Sequence, residues 1–118
     1  DIDLSHPLEI SRSANRTEAL AQLHDSHFPY AVLLDDSRHP VAWVDERALN
    51  RSESLDTAAS RITVQLQPED TLQDALSSML QSSAGMSAVV DSRGNYLGTC
   101  TIESLASMLI SQPTNGDQ

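Results

Sequence analysis

Apolar and polar residues alternate along Ile62-Thr63-Val64-Gln65-Leu66, the pattern of a strand with one buried face. Gln67-Pro68-Glu69-Asp70 interrupts it, and either Asp70 or Thr71 offers a short side-chain oxygen to cap a following helix. Leu72, Ala75, Leu76, Met79 and Leu80 then recur at helical spacing and predict one apolar face, with Leu76 where the helix meets the sheet. Ser82-Ser83-Ala84-Gly85 ends that helix. Ser87 to Val90 reads as a short strand and Asp91 to Asn95 as a turn, in which Gly94 is free to take a positive φ. Tyr96 to Thr101 returns as a strand. Ile102 to Ile110 follows as a helix with Ile102, Leu105, Ala106 and Leu109 inward.

The same order occurs earlier in the chain with a fainter signal. Leu8 to Ile10 is a strand, and Thr17 to His24 a helix with Ala19, Leu20 and Leu23 inward. Tyr30 to Leu34 and Val41 to Val44 form a hairpin about Asp35 to Pro40, and Asp45 to Leu49 opens a short helix. A shift of 56 residues without gaps lays the first half on the second: Glu18-Ala19-Leu20 on Asp74-Ala75-Leu76, Val32-Leu33-Leu34-Asp35 on Ala88-Val89-Val90-Asp91, Leu49 on Leu105. Two copies are too few for a solenoid, so a duplicated β-α-β-β-α unit is the better reading. The expected fold is α+β: repeat 1 over residues 1–50, a polar linker over 51–60, repeat 2 over 61–111 and a frayed tail over 112–118.

Composition narrows the function. Seventeen acids against seven basic residues, all arginine, give a formal net charge of −10. No basic stripe exists for nucleic acid, and the same charge repels anionic membrane surfaces. Any nucleotide ligand therefore needs locally placed arginines or backbone N–H groups. The one cysteine, Cys100, has no partner for a disulfide within the chain. Apolar runs of about five residues fall far short of the ~20 that span a bilayer, so no direct membrane insertion is expected. A first residue of Asp rather than Met suggests a segment of a longer protein. Aromatic content of 3 % leaves the core to Leu, Val, Ile, Ala and Met.

The run Val89-Val90-Asp91-Ser92-Arg93-Gly94-Asn95-Tyr96-Leu97-Gly98-Thr99-Cys100-Thr101, with Pro68-Glu69-Asp70-Thr71-Leu72-Gln73-Asp74-Ala75-Leu76 before it, resembles the signature of cystathionine-β-synthase-type (CBS) domains. The resemblance implies two CBS repeats packed as a pseudo-two-fold pair, and pairs that assemble as homodimers. A narrower likeness lies in Tyr30 to Asp35, Val41 to Asp45, and Leu97-Gly98 with Thr101 to Leu105. These resemble C-terminal CBS pairs on the ATP-binding subunits of osmoprotectant ABC transporters. That likeness implies a regulatory, non-enzymatic module at the cytoplasmic face, with the transporter's ATPase and membrane subunits as partners. Its input would be ionic strength or an adenine-containing ligand, an adenine nucleotide or cyclic di-AMP.

For that ligand the resemblance offers Thr101, Ser104, Ile62, Val64, Ser87, Ala88, Ala31 and Asp45 as cleft candidates. Ser104 and Ala48 stand where many ligand-binding members have an aspartate that bonds a ribose hydroxyl. Alanine makes no such bond and serine a shorter-reaching one, and Asp45 would repel a nearby phosphate, so copy two's side is the better candidate. Thr101 reads equally as a helix cap. Gly98 invites close approach, which would favour a ligand. Arg12 and Arg61 could meet phosphate, although pairing with local acids is the plainer reading. Trp43 is expected as a core or interface filler. The four histidines are scattered, and no nucleophile elbow or HExxH run is present. The competing function is a dimerisation module that binds no small molecule.

Overall fold

A computed structural model describes residues 4–81 and 85–111. In chain order these form β1 (Leu8–Ser11), α1 (Arg16–Ser26), β2 (Ala31–Leu34), β3 (Pro40–Val44), α2 (Glu46–Arg51), α3 (Leu55–Ala58), β4 (Ser60–Arg61), β5 (Gln65–Leu66), α4 (Leu72–Gln81), β6 (Met86–Val90), β7 (Tyr96–Thr101) and α5 (Ile102–Ser111). The expected helix stop at 82–84, the tail at 112–118 and the inward placement of Leu109 lie outside the described residues.

Two sheets result, ordered β1-β2-β3-β4 and β5-β6-β7. Each begins with a parallel pair, β1 with β2 and β5 with β6, and continues into an antiparallel hairpin. Helices cover one face of each sheet. On the first, Ala19 and Leu23 of α1 and Leu49 of α2 pack on Ile10, Ala31, Leu33 and Val44. On the second, Ala75 and Met79 of α4 and Leu105 of α5 pack on Leu66, Val89 and Cys100. The opposite faces meet each other through a thin layer of Val32, Leu34, Ala88 and Tyr96, edged by Trp43 and Ile62. β2 and all of β6 but Met86 are therefore buried on both faces, and apart from Ser87 they read as continuous apolar runs, without alternation.

Local chemistry sets the boundaries. Asn15 and Glu18 form a reciprocal capping box at the start of α1, and His27 closes that helix in the left-handed region at φ 61°. Of the two candidate caps before α4, Thr71 takes the role, accepting from the Asp74 N–H at 3.1 Å. Asp70 instead accepts from the Gln67 N–H, holding the preceding turn. The two hairpin turns are built alike. Asp35 Oδ1 accepts from the N–H groups of Ser37 and His39, and Asp91 Oδ1 from those of Arg93 and Asn95. These bonds hold both carboxyls below the usual aspartate range, the His39 N–H leading for Asp35 and the Asn95 N–H for Asp91.

Three expectations change. The stretch read as a polar linker carries α3, capped by Ser54 and bonded to the first core through buried Leu55 and Ala58, and then β4. Its two inward side chains are too few, in so short a helix, to show as a periodic pattern. The strand expected over 62–66 is shorter, with only Gln65–Leu66 paired within the second sheet, and a separate strand before it, Ser60–Arg61, pairs with β3 of the first. Leu80 is exposed, since Ala75 and Met79 centre the buried stripe of α4 and Leu76 is only partly covered.

The pairing of β4 with β3 has a counterpart across the pseudo-two-fold. Ser5 bridges to Thr99 on β7, the two exchanging N–H···O bonds of 2.7 and 2.8 Å. The 56-residue shift carries Thr99 onto Trp43, and Trp43 pairs with Ser60, within one residue of the same register. Each copy thus lends the segment before its own first strand to the edge of the other's sheet.

Candidate functional site

Thr101 ends β7 and begins α5. Its Oγ1 accepts from the Ser104 N–H at 3.1 Å, so these two candidates meet as a cap on the second copy's last helix. Both are partly exposed. Asp45 holds the equivalent place in copy one, accepting from the Ala48 N–H at 2.7 Å and exposed to solvent. The helix expected from Asp45 therefore begins at Glu46, with Asp45 as its cap.

Val64, Ser87 and Ala88 come together at a second point. The Val64 carbonyl accepts from the Ala88 N–H at 3.3 Å and from Ser87 Oγ at 3.0 Å. Ser87 and Ala88 are fully buried and Val64 nearly so, which makes them supports for the sheet within this chain, not cleft walls. Ala31, the counterpart of Ser87, is likewise sealed in the first core. Ile62 stands apart from these, partly exposed beside the layer between the copies, where its N–H donates to Val41.

Gly98 serves a purpose different from ligand approach. A Cβ there would lie 2.9 Å from Leu4 Cβ and 3.2 Å from the Ser5 carbonyl oxygen. The close neighbour that requires glycine is the N-terminal segment seated on β7. Gly94 does take a positive φ of 86° and lies under the His39 ring, whose Nε2 sits 3.0 Å from the Arg93 carbonyl. The two hairpin turns are thereby latched together, with the Tyr96 N–H donating to Arg38 O.

A buried hydroxyl group lies in the seam between the copies. Tyr96 Oη and Thr99 Oγ1 are 2.7 Å apart, and in the same seam the Tyr30 ring meets Trp43 edge-on at 5.8 Å. Trp43 is accordingly an interface filler. Burial pushes the Tyr96 hydroxyl up to about 12, partly opposed by its bond to Thr99. A raised folded-state value means that the stabilisation is complete below about pH 10, the unfolded value, and is lost as pH rises through about 12. In a Tyr30→Phe chain, which keeps one tyrosine, the absorbance titration at ~295 nm should therefore have its midpoint well above 10. A midpoint at the ordinary tyrosine value would show the hydroxyl to be solvated.

A concavity beside these elements measures about 500 Å³, within the range of small-molecule pockets. It is lined by Arg12, Leu33, Pro40, Val41, Ala42, Asp56, Ala59, Arg61, Ile62 and Gln65. Of the expected cleft residues it includes Ile62 alone. It does join Arg12 and Arg61, two arginines 49 positions apart that the sequence offered separately. Their meeting was hidden because it depends on the exchange of β4 onto the first sheet. The repeat contained a clue: Arg61 is the counterpart of Ser5, and both precede their copy's first strand. Among the described residues, no three His, Cys, Asp or Glu side chains converge as a metal site. No helix among them is long and apolar enough to cross a membrane.

Comparison with known proteins agrees with this architecture. Residues 58–111 match the family profile described as CBS domain. No curated protein sequence matches the chain. Among solved structures, OpuCA from Staphylococcus aureus superposes with a TM-score of 0.74 at 20 % identity, over 91 % of this chain and 95 % of that one. The CBS domain pair of protein MJ0100, in complex with 5′-methylthioadenosine and S-adenosyl-L-methionine, gives 0.71 at 14 % identity over 90 % and 94 %. CBSX2 in complex with AMP gives 0.67 at 17 % identity over 93 % and 91 %. The chain as a whole thus has the fold of a CBS-domain pair, with the match to the CBS-domain profile carried by residues 58–111.

Proposed function

We propose that this CBS pair is a regulatory module that senses an adenine-containing ligand for the ATP-binding subunit of an osmoprotectant transporter. The observation that carries the reading is the architecture itself. Two sheets meet through a layer only one side chain deep from each, clasped by exchanged edge segments and by the turn-to-turn latch. Such a joint admits more than one relative setting of the copies. A ligand shifts that setting by as much as its affinity differs between them. Solved pairs of the same fold contain AMP or S-adenosyl-L-methionine, which supports the ligand class. The transporter assignment rests on the resemblance of Tyr30 to Asp35, Val41 to Asp45, and Leu97-Gly98 with Thr101 to Leu105. On copy two's side the proposed contacts are Thr101 and Ser104, at the start of a ten-residue helix.

Calorimetric titration with cyclic di-AMP, ATP, ADP and AMP, at low and near-physiological salt, tests the reading. Saturable heat in the micromolar range (~10⁻⁶–10⁻⁴ M) from one of them, weakened in Thr101→Ala, is the expected result. Silence across the panel at both salts would overturn ligand sensing.

A second reading, a dimerisation module without a ligand, is favoured by one specific feature. Leu80 on α4 and Ile110 on α5 are 60 % and 84 % exposed, on helices that pack against each other. A stable dimer together with silent calorimetry would establish this reading instead. A dimer that forms only at low salt would support gating by ionic strength, since exposed charges are screened within ~10 Å at moderate salt.

A further inference from the structure

We propose that the cavity joining Arg12 and Arg61 is a binding site for a small organic phosphate, one per chain, held by the two guanidinium groups. Arg12 follows β1 and is fixed by its N–H bond to Leu34 O at 2.9 Å. Arg61 arrives from the other copy on β4, paired with Ala42. Among the described residues neither guanidinium has an ion pair or side-chain hydrogen bond. By contrast, Arg16 donates to Leu49 O at 2.7 Å and Arg38 pairs with Glu9 at 2.7 Å. Asp35 is close enough to Arg12 to feel its charge, but its Oδ1 already serves the turn N–H groups of Ser37 and His39. The one acid lining the cavity is Asp56, so two positive charges face one negative in a chain of net charge −10.

Planar guanidinium forks match phosphate oxygens in pairs, which an isolated point charge does not. Pro40, Val41 and Ile62 supply an apolar wall beside them, suited to a flat group carried by the phosphate. The second copy has no equivalent, because Pro68 and Ser5 occupy the positions that correspond to Arg12 and Arg61. The site is therefore single despite the repeat. A bound phosphate would bridge β1 of one copy and the strand lent by the other, drawing the exchanged segment onto the first sheet. This site does not depend on the Thr101 contacts and can stand if they fail.

The test follows the arginine Nε–Hε signals by ¹⁵N NMR during titration with pyrophosphate, AMP and adenosine. Pyrophosphate and AMP should shift the Arg12 and Arg61 signals saturably, and adenosine should not. Arg61→Gln, an exposed change expected to leave the backbone spectrum intact, should weaken the response about tenfold or more. Arg12→Gln should do the same, and Thr101→Ala should leave it unchanged. The absence of a saturable shift up to about 10 mM, or a response that survives both arginine changes, overturns the site. AMP binding lost in Thr101→Ala yet kept in Arg61→Gln would also overturn it while upholding the sensor. Pyrophosphate held as tightly as AMP would overturn the organic part of the proposal, since the apolar wall would then contribute nothing.

Discussion

Leu105→Ala should lower the folding free energy by about 2–5 kcal/mol. Leu105 is fully buried in the second core, against Val64, Leu66, Met79, Val89 and Cys100. Alanine removes most of the contact between α5 and the sheet and leaves a cavity that the flanking strands cannot close without breaking register. A domain of this size holds roughly 5–15 kcal/mol in all, so the variant approaches the edge of folding. Urea melts provide the measurement, with a lower midpoint at an unchanged slope. Leu76→Ala is the internal control. Leu76 is only partly covered, so its loss should fall below about 2 kcal/mol. Equal losses at the two sites would put α4 in a different rotation, and a negligible loss at Leu105 would mean that α5 is not docked.

The contrast between those leucines shows what the chain reveals before folding. Spacing alone placed Leu72, Ala75, Leu76, Met79 and Leu80 on one helix, and the helix is there. An apolar arc wider than the contact stripe cannot say which of its members sit at the centre. The fixed 56-residue offset revealed the duplicated unit, because side-chain pattern survives wherever helices and strands bury the same face twice. The exchange of edge segments left no such trace. Ser5 with Thr99, and Ser60–Arg61 with β3, are joined by backbone N–H and carbonyl groups that every residue possesses. α3 is hidden within Ser54 to Ser60 for another reason, since its two inward side chains make no visible period, although Ser54, accepting from the Thr57 N–H, carries an ordinary cap signal.

The site was less legible still. The role of Thr101 as a cap could be read from its place before an apolar-periodic run, and the hydrogen bond to the Ser104 N–H matches that reading. The other cleft candidates come from the resemblance, which does not show what covers each strand of this chain. β6 is covered by helices on one side and by the first copy on the other, so Ser87 and Ala88 have no open side within the chain. Arg12 and Arg61 illustrate the reverse case. Each looks like a solvated surface charge in the sequence, and only the crossing of β4 gives them a common cavity.

Gly98→Val should destabilise the chain by about 1–3 kcal/mol, the usual cost of forcing extra volume into a packed contact. A Cβ at this position meets Leu4 at 2.9 and 3.0 Å and the Ser5 carbonyl at 3.2 Å. Leu4 Cδ1 could swing aside, but Leu4 Cβ moves only with its backbone, and the Ser5 oxygen accepts the Thr99 N–H at 2.8 Å and cannot retreat without losing that bond. The expected outcome is a detached N-terminal segment and an unpaired outer edge on β7. Amide exchange should report this locally, with protection lost at Ser5 and Thr99 while the Val89 amide, inside the sheet, keeps most of its own. Removing residues 1–5 should cost a similar amount by itself, and adding Gly98→Val to that shortened chain should then cost little, as two changes that delete one contact must. Fully additive costs would mean that the valine strains β7 itself. Because β7 runs directly into the Thr101 cap of α5, detachment would also loosen the strand end where the proposed ligand contacts begin. Ligand heat that falls in parallel with Thr99 protection would tie the exchanged segment to the sensor, and unchanged heat in a detached chain would separate the two.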